Sequence, residues 1–271
     1  WVMNGTCNYI LTEMERTGAP YAQVLEAAQK LGYAEADPSF DVGGVDAAQK
    51  LALLAAAAFG TRVDYEGMTV EGIERVSIAD IEHAAELGYR IKLLGVARLT
   101  PRGLETRTQP CLVPSTSPIG TLEGVTNMVV LEGDFVGRIV MSGPGAGEGP
   151  TASAIMGDVV DIARGLIFPP FGQPAASLCH APRAGTSGEA AYYLRFALAD
   201  RPGVLARIAA ALGESGVSID RMRQGAHPGT TAPVLIVTHR CGRPALDRAV
   251  SVIETLDVCH DVPVVLRIED V

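Results

Sequence analysis

The chain has 271 residues, 48% of them hydrophobic and 20% charged, a profile that suggests a folded chain of about two domains and argues against extended disorder. A net charge of −9 with no basic stripe excludes a general attraction to nucleic acid or to an anionic membrane. Five scattered cysteines (Cys7, Cys111, Cys179, Cys241, Cys259) form no CxxC and no Cys/His cluster. They point away from disulfide scaffolding and structural zinc and toward a reducing cytoplasm.

From Gly5 to about Leu31, apolar residues recur every three or four positions, which predicts two helices broken at Gly18-Ala19-Pro20. A polar loop over 32–41 follows, then a helix from about Gly44 to Phe59 whose alanine-rich part reads as buried and is too short to span a bilayer. Residues 77–87 read as a helix capped by Ser77 and stopped at Gly88. The period then becomes two, predicting strands at 90–99, 104–113, 125–132 and 135–142, the last two joined by a tight turn at Glu132-Gly133-Asp134. A glycine-rich turn over 143–149 leads into a helix from about Pro150 to Gly165. Residues 168–188 read as a linker on their Pro, Gly, Ser and Ala content. Beyond it, strands at 192–199, 217–224, 234–239 and 262–268 and helices at 203–213 and 244–256 give a ferredoxin-like βαββαβ pattern. The expected class is α+β: a mixed sheet with helices over 1–168, a linker at 169–189, and a smaller domain over 190–271.

Two stretches carry charged chemistry, and a glycine-rich turn lies between them in the chain. Asp46 and Lys50 are four apart on a predicted helix and share a face, with Glu35 and Asp41 close by in sequence. A lysine there can exchange a proton with a hydroxyl or carbonyl, and the carboxylates can hold an ammonium; an ordinary exposed ion pair is the plain alternative. Gly143-Pro144-Gly145-Ala146-Gly147 suits backbone approach to a ligand, yet it fails the G-x-G-x-x-G dinucleotide pattern at Glu148. The second stretch, Asp200-Arg201-Pro202-Gly203, joins a strand to a helix start, where Gly203 permits close approach and the helix N-terminus favours a carboxylate. A simple helix cap accounts for it as well. The five histidines (His83, His180, His227, His239, His260) share neither a helix face nor metal spacing.

The run Gly32–Lys50 closely resembles the signature of homoserine dehydrogenases, residues 4–10 resemble the same family's substrate-side helix, and the similarity continues through residues 143–154. The resemblance implies interconversion of L-homoserine and L-aspartate 4-semialdehyde with NAD or NADP, within threonine and methionine biosynthesis. It implies Lys50 as the proton donor and acceptor, Glu35, Asp46, Asp41 and Thr6 around the substrate, and Gly32 and Gly147 against the cofactor. Residues 196–205 resemble the ligand loop of ACT domains, which implies an amino-acid effector at Asp200 and Gly203, with L-threonine the natural candidate, and a homo-oligomer. The family also carries an N-terminal Rossmann domain, a second catalytic lysine and a monovalent-cation site, none of them present in this sequence. A chain opening Trp1-Val2-Met3 without initiator methionine is therefore expected to be a truncated form that does not transfer hydride unaided. The rival expectation is a non-catalytic regulatory protein that binds amino acids through its ACT part alone.

Overall fold

A computed structural model describes residues 1–185, 188–225 and 229–271. His227 and the linker positions Thr186 and Ser187 lie outside the described residues. The chain divides into two compact units, the first made of residues Trp1–Pro110 and Pro114–Gly185, the second of Cys111–Val113 with the chain up to Asp270.

In the first unit, α1 (Gly5–Thr17) and α2 (Tyr21–Lys30) flank the predicted break. The Asn4 side chain caps α1 by accepting from Cys7 N at 2.8 Å, and Gly18 ends it at φ 68°. A short helix, α3 (Ser39–Val42), begins inside the stretch expected to be loop. Helix α4 (Val45–Phe59) follows directly, entered through Gly44 at φ 81°. It buries Ala47, Ala48, Leu51, Ala52, Ala55 and Ala56, so its small residues face inward while Leu53 and Leu54 remain exposed. After the two-residue strand β1 (Thr69–Val70) comes α5 (Ile78–Glu86), closed at its start by a full capping box between Ser77 and Asp80.

Strands β2 (Tyr89–Thr100) and β3 (Gly103–Pro114) pair with each other, and β1 runs parallel to β3, Thr69 opposite Arg107. Strands β4 (Thr126–Gly133) and β5 (Gly137–Pro144) form a separate antiparallel hairpin. Its turn is Asp134-Phe135-Val136 rather than Glu132-Gly133-Asp134, because Gly133 still pairs with Gly137. Helix α6 (Glu148–Ala163) follows, with none of its residues buried. Trp1 is buried with Met3 and Leu51, and its indole Nε1 donates to Val130 O at 2.7 Å. The segment expected to be a free linker is tied to the first unit up to Gly185. Thr61 bridges Cys179, Leu104 bridges Arg183, and Arg183 meets Asp64 with two bonds of 2.6 and 2.7 Å. Those bonds draw on backbone groups and one ion pair, so a Pro/Gly-rich composition does not prevent them.

The second unit contains β6 (Tyr192–Ala199), α7 (Val204–Glu214), β7 (Ile219–Gln224), β8 (Thr231–Thr238), α8 (Arg243–Glu254) and β9 (Val264–Ile268). The strand order β9-β6-β8-β7, with every one of these pairs antiparallel, is the ferredoxin-like arrangement expected for βαββαβ. Leu194, Phe196, Ile208, Leu212, Ile236 and Leu246 are buried in its core. Together these describe an α+β protein.

Among the described residues, no helix is long and apolar enough to cross a membrane, and no group of three His, Cys, Asp or Glu side chains could hold a metal ion.

Candidate functional site

In the first unit the chemistry gathers at the N-termini of α1 and α4. Asp46 and Lys50 occupy the first and second turns of α4, and Lys50 Nζ lies 2.8 Å from Asp46 Oδ2. The Asp46 side chain is 19% exposed and that of Lys50 47%, so the ammonium reaches solvent while its partner sits deeper. Asp41, on α3, is brought beside them by a residue that the spacing argument missed. Asn4, only 4% exposed, donates from Nδ2 to Asp41 Oδ1 at 2.7 Å and to Asp46 Oδ2 at 2.8 Å. One carboxamide thus uses both protons to hold two carboxylates together, offsetting a repulsion that would otherwise part them. The bridging by Asn4 to residues 37 and 42 positions away was not legible in the sequence.

A second missed group is the Met3 carbonyl, which accepts from Lys50 Nζ at 3.3 Å and from Asn127 Nδ2 at 3.3 Å. The Cys7 thiol donates to Asp41 O at 3.2 Å. Burial first, then the negative charge of Asp41, Glu74 and Asp46, raises the Cys7 pKa well above that of an ordinary thiol, so it stays protonated and serves as a donor. Burial, with Glu74 beside it, also pushes Tyr21 up to about 12. The locality is electronegative.

Thr6 Oγ1 donates to Tyr33 O at 2.7 Å, which fixes the start of α1 against the loop that begins at Gly32, itself at φ 77°. Glu35 lies in that loop and is exposed; Gln29 Nε2 donates to its carbonyl oxygen at 2.9 Å. Its carboxylate makes no bond to Asp41, Asp46 or Lys50. Gly147, at φ 116°, is the N-cap of α6, and the Gly143–Gly147 turn enters that helix from β5.

Behind α1 stands Lys92, on β2 and 2% exposed. Its Nζ donates to Asn8 Oδ1 at 2.9 Å and also to Leu122 O, while Asn8 Nδ2 donates to Gly124 O at 2.8 Å. Gly5 completes the clamp, since a Cβ there would lie 2.7 Å from Val125 O. The start of α1 is therefore fixed against residues 122–125. Burial, with Arg90 adding to it, lowers the Lys92 pKa to about 8. A lysine within the apolar run Ile91–Leu94 was the available signal for it.

The second unit has its own concavity, about 540 Å³, lined by Asp200, Gly203, Leu205, Gln224, Ala232 and Val234 among others. Gly203 is the N-cap of α7 at φ 84°, a left-handed conformation that suits glycine, and nothing stands within 4 Å of where its Cβ would be. Gln224 Nε2 donates to Asp200 Oδ1 at 3.2 Å. Both residues expected to bind an effector thus border one pocket of carboxylate, amide, helix N-terminus and small apolar side chains.

The sequence profile of the family described as Homoserine dehydrogenase matches residues 1–160, and that of the ACT domain matches residues 192–258. A homoserine dehydrogenase of Pseudomonas aeruginosa is 42% identical over 99% of this chain and 64% of its own length. The crystal structure of a homoserine dehydrogenase from Thiobacillus denitrificans superposes with a TM-score of 0.90 at 41% identity, covering 98% of this chain and 62% of that one. A hyperthermophilic archaeal homoserine dehydrogenase in complex with NADPH covers 62% of this chain and 47% of its own, with a TM-score of 0.51 and 28% identity. The chain thus spans less than two thirds of the length of these relatives.

Proposed function

Because the chain belongs to the homoserine dehydrogenase family, we propose that its first unit is the amino-acid half of an enzyme that interconverts L-homoserine and L-aspartate 4-semialdehyde. The observation that carries this reading is the bonded set Asn4, Asp41, Asp46 and Lys50. In the direction of aldehyde reduction, negative charge grows on the carbonyl oxygen, and the Lys50 ammonium is the group placed to donate a proton to it. In the reverse direction the same nitrogen takes the proton from the hydroxyl. Asp41 and Asp46 supply the negative field that holds the substrate's α-ammonium, with Glu35 offering a further carboxylate from its loop. Thr6 fixes that loop through Tyr33 O. Asp46 keeps the Lys50 stem turned toward the Met3 carbonyl, which holds the proton-carrying nitrogen at one position.

A nicotinamide nucleotide, NAD or NADP, supplies the hydride exchange when bound. What this chain offers it is backbone. Gly147 is at φ 116° and the amides of the α6 N-terminus follow directly, a combination that suits close approach of a polar, anionic group. Gly32 would meet the same group from the substrate side. The second unit, with its pocket at Asp200 and Gly203, binds an amino-acid effector, L-threonine being the candidate. The protein works as a homo-oligomer in the cytoplasm.

Isothermal titration of the chain with L-homoserine and, separately, with L-threonine tests both halves. Homoserine binding that is lost in Asp46→Asn and Lys50→Ala, while threonine binding persists, is the expected result. Threonine binding without any homoserine binding would favour the purely regulatory reading, which the preformed pocket of the second unit already accommodates.

A further inference from the structure

Asn127 lies on β4, opposite Gly143 of β5, between the lysine and the glycine turn. Its Nδ2 donates to the Met3 carbonyl that also receives Lys50 Nζ, each at 3.3 Å. Gly145 stands against the same carboxamide. A Cβ built there would fall 1.7 Å from Asn127 Nδ2 and 2.6 Å from its Cγ, so the carboxamide fills the room that a side chain at 145 would need. This is a reason for glycine at that position independent of any cofactor.

The amide orientation is set by its partner: a carbonyl can only accept, so nitrogen faces Met3 O. The oxygen Oδ1 is left buried with no hydrogen-bond partner. A buried acceptor without a donor is costly, and such groups are rare enough in folded proteins to call for a reason. Gly145, an exposed residue of the turn, borders the carboxamide, with a Cβ there 1.7 Å from Nδ2 and 3.3 Å from Oδ1, so the amide is reached where that turn moves.

We infer that Asn127 is a substrate-contacting residue: its Oδ1 accepts a hydrogen bond from an O–H or N–H of an amino alcohol seated at Lys50, while its Nδ2 holds the Met3 carbonyl. This rests on the homoserine reading of the first unit and extends it to a residue on a different element. The arrangement couples two events. A ligand that engages Oδ1 orders the carboxamide, which in turn fixes the carbonyl on which Lys50 rests.

The test is isothermal titration of the whole chain with L-homoserine, using wild type, Asn127→Leu and Asn127→Asp, with a thermal melt of each. Leucine keeps the size but removes both the acceptor and the donor to Met3 O; aspartate keeps an acceptor and loses only that donor. Affinity should fall about tenfold or more in Asn127→Leu and stay within about threefold in Asn127→Asp. Gly145→Ala, which evicts the carboxamide without altering it, should weaken binding as Asn127→Leu does, and serves if the leucine variant fails to fold. Equal binding by wild type and Asn127→Leu overturns the assignment. So does a loss that is the same in Leu and Asp and follows the melting temperature, which is what a purely structural amide would give. If wild type binds no homoserine, the reading of the whole site falls and this assignment falls with it.

Discussion

Replacing Lys92 by methionine isolates the contribution of one buried charge to stability. In the folded chain its pKa is lowered to about 8 from an ordinary 10.5, with burial the largest cause. At about 1.4 kcal/mol for each pH unit of displacement, keeping this lysine charged in the fold costs roughly 3 kcal/mol relative to the unfolded chain. Below pH 8 both states carry the proton and the whole penalty applies. Between pH 8 and 10.5 the folded state releases its proton first, the unfolded chain binds more protons, and stability rises with pH. That relief amounts to about 2 kcal/mol by pH 9.5. Lys92→Met has no such group, though it leaves Asn8 Oδ1 and Leu122 O without their donor. The absolute change at one pH therefore mixes two effects, while the pH slope reports the charge alone. Urea unfolding of wild type and variant at pH 7 and 9.5 measures it. The stability gap should shift in favour of wild type by about 2 kcal/mol between those pH values, other titrating groups cancelling in the difference. A gap that stays constant would refute the argument and mean that water or a local opening relieves the charge.

Other changes should follow the same logic. Ser77→Ala removes one half of the capping box at α5 and should lower stability by about 1 kcal/mol in urea unfolding. Leu246→Ala, at a fully buried position of α8, should cost about 2–5 kcal/mol, read from the unfolding of the second unit. Gly203→Ala meets no steric obstacle but forces an L-residue to φ 84°, a strain of about 1–2 kcal/mol, and its methyl group borders the pocket. Threonine affinity should fall in that variant while homoserine affinity is unchanged, a pattern that paired titrations would resolve.

Most of the helices and strands were legible because their hydrophobic periods are clean: α4 shows its small-residue stripe, β6 its alternation, and the break at Gly18-Ala19-Pro20 its turn residues. Short elements escaped, since the four residues of α3 and the two of β1 do not complete a period. Trp1 carries no local pattern, yet a carbonyl 129 positions away gives its indole a partner. Of the site, the pair Asp46 and Lys50 was readable because four residues on a helix make one face. The contacts of Asn4, Met3 O and Asn127 were not, because they reach across 37 to 124 positions that no local pattern encodes. Glu35 shows the reverse case, a motif residue whose carboxylate the fold leaves in a surface loop.

Helix α6 has a further consequence. It runs for 16 residues with none buried, while Ile155, Met156, Val159 and Ile162 each remain about half exposed or more. A helix of this length with no packed face is marginal in water, and Gly149, Gly157 and its β-branched residues lower its propensity further. Its amides should therefore exchange with deuterium within seconds to minutes, while those of α1 and α4 remain protected. A polarity-sensitive dye should brighten on the same helix. Slow exchange along α6 in the isolated chain would mean that its apolar side chains are already covered in solution.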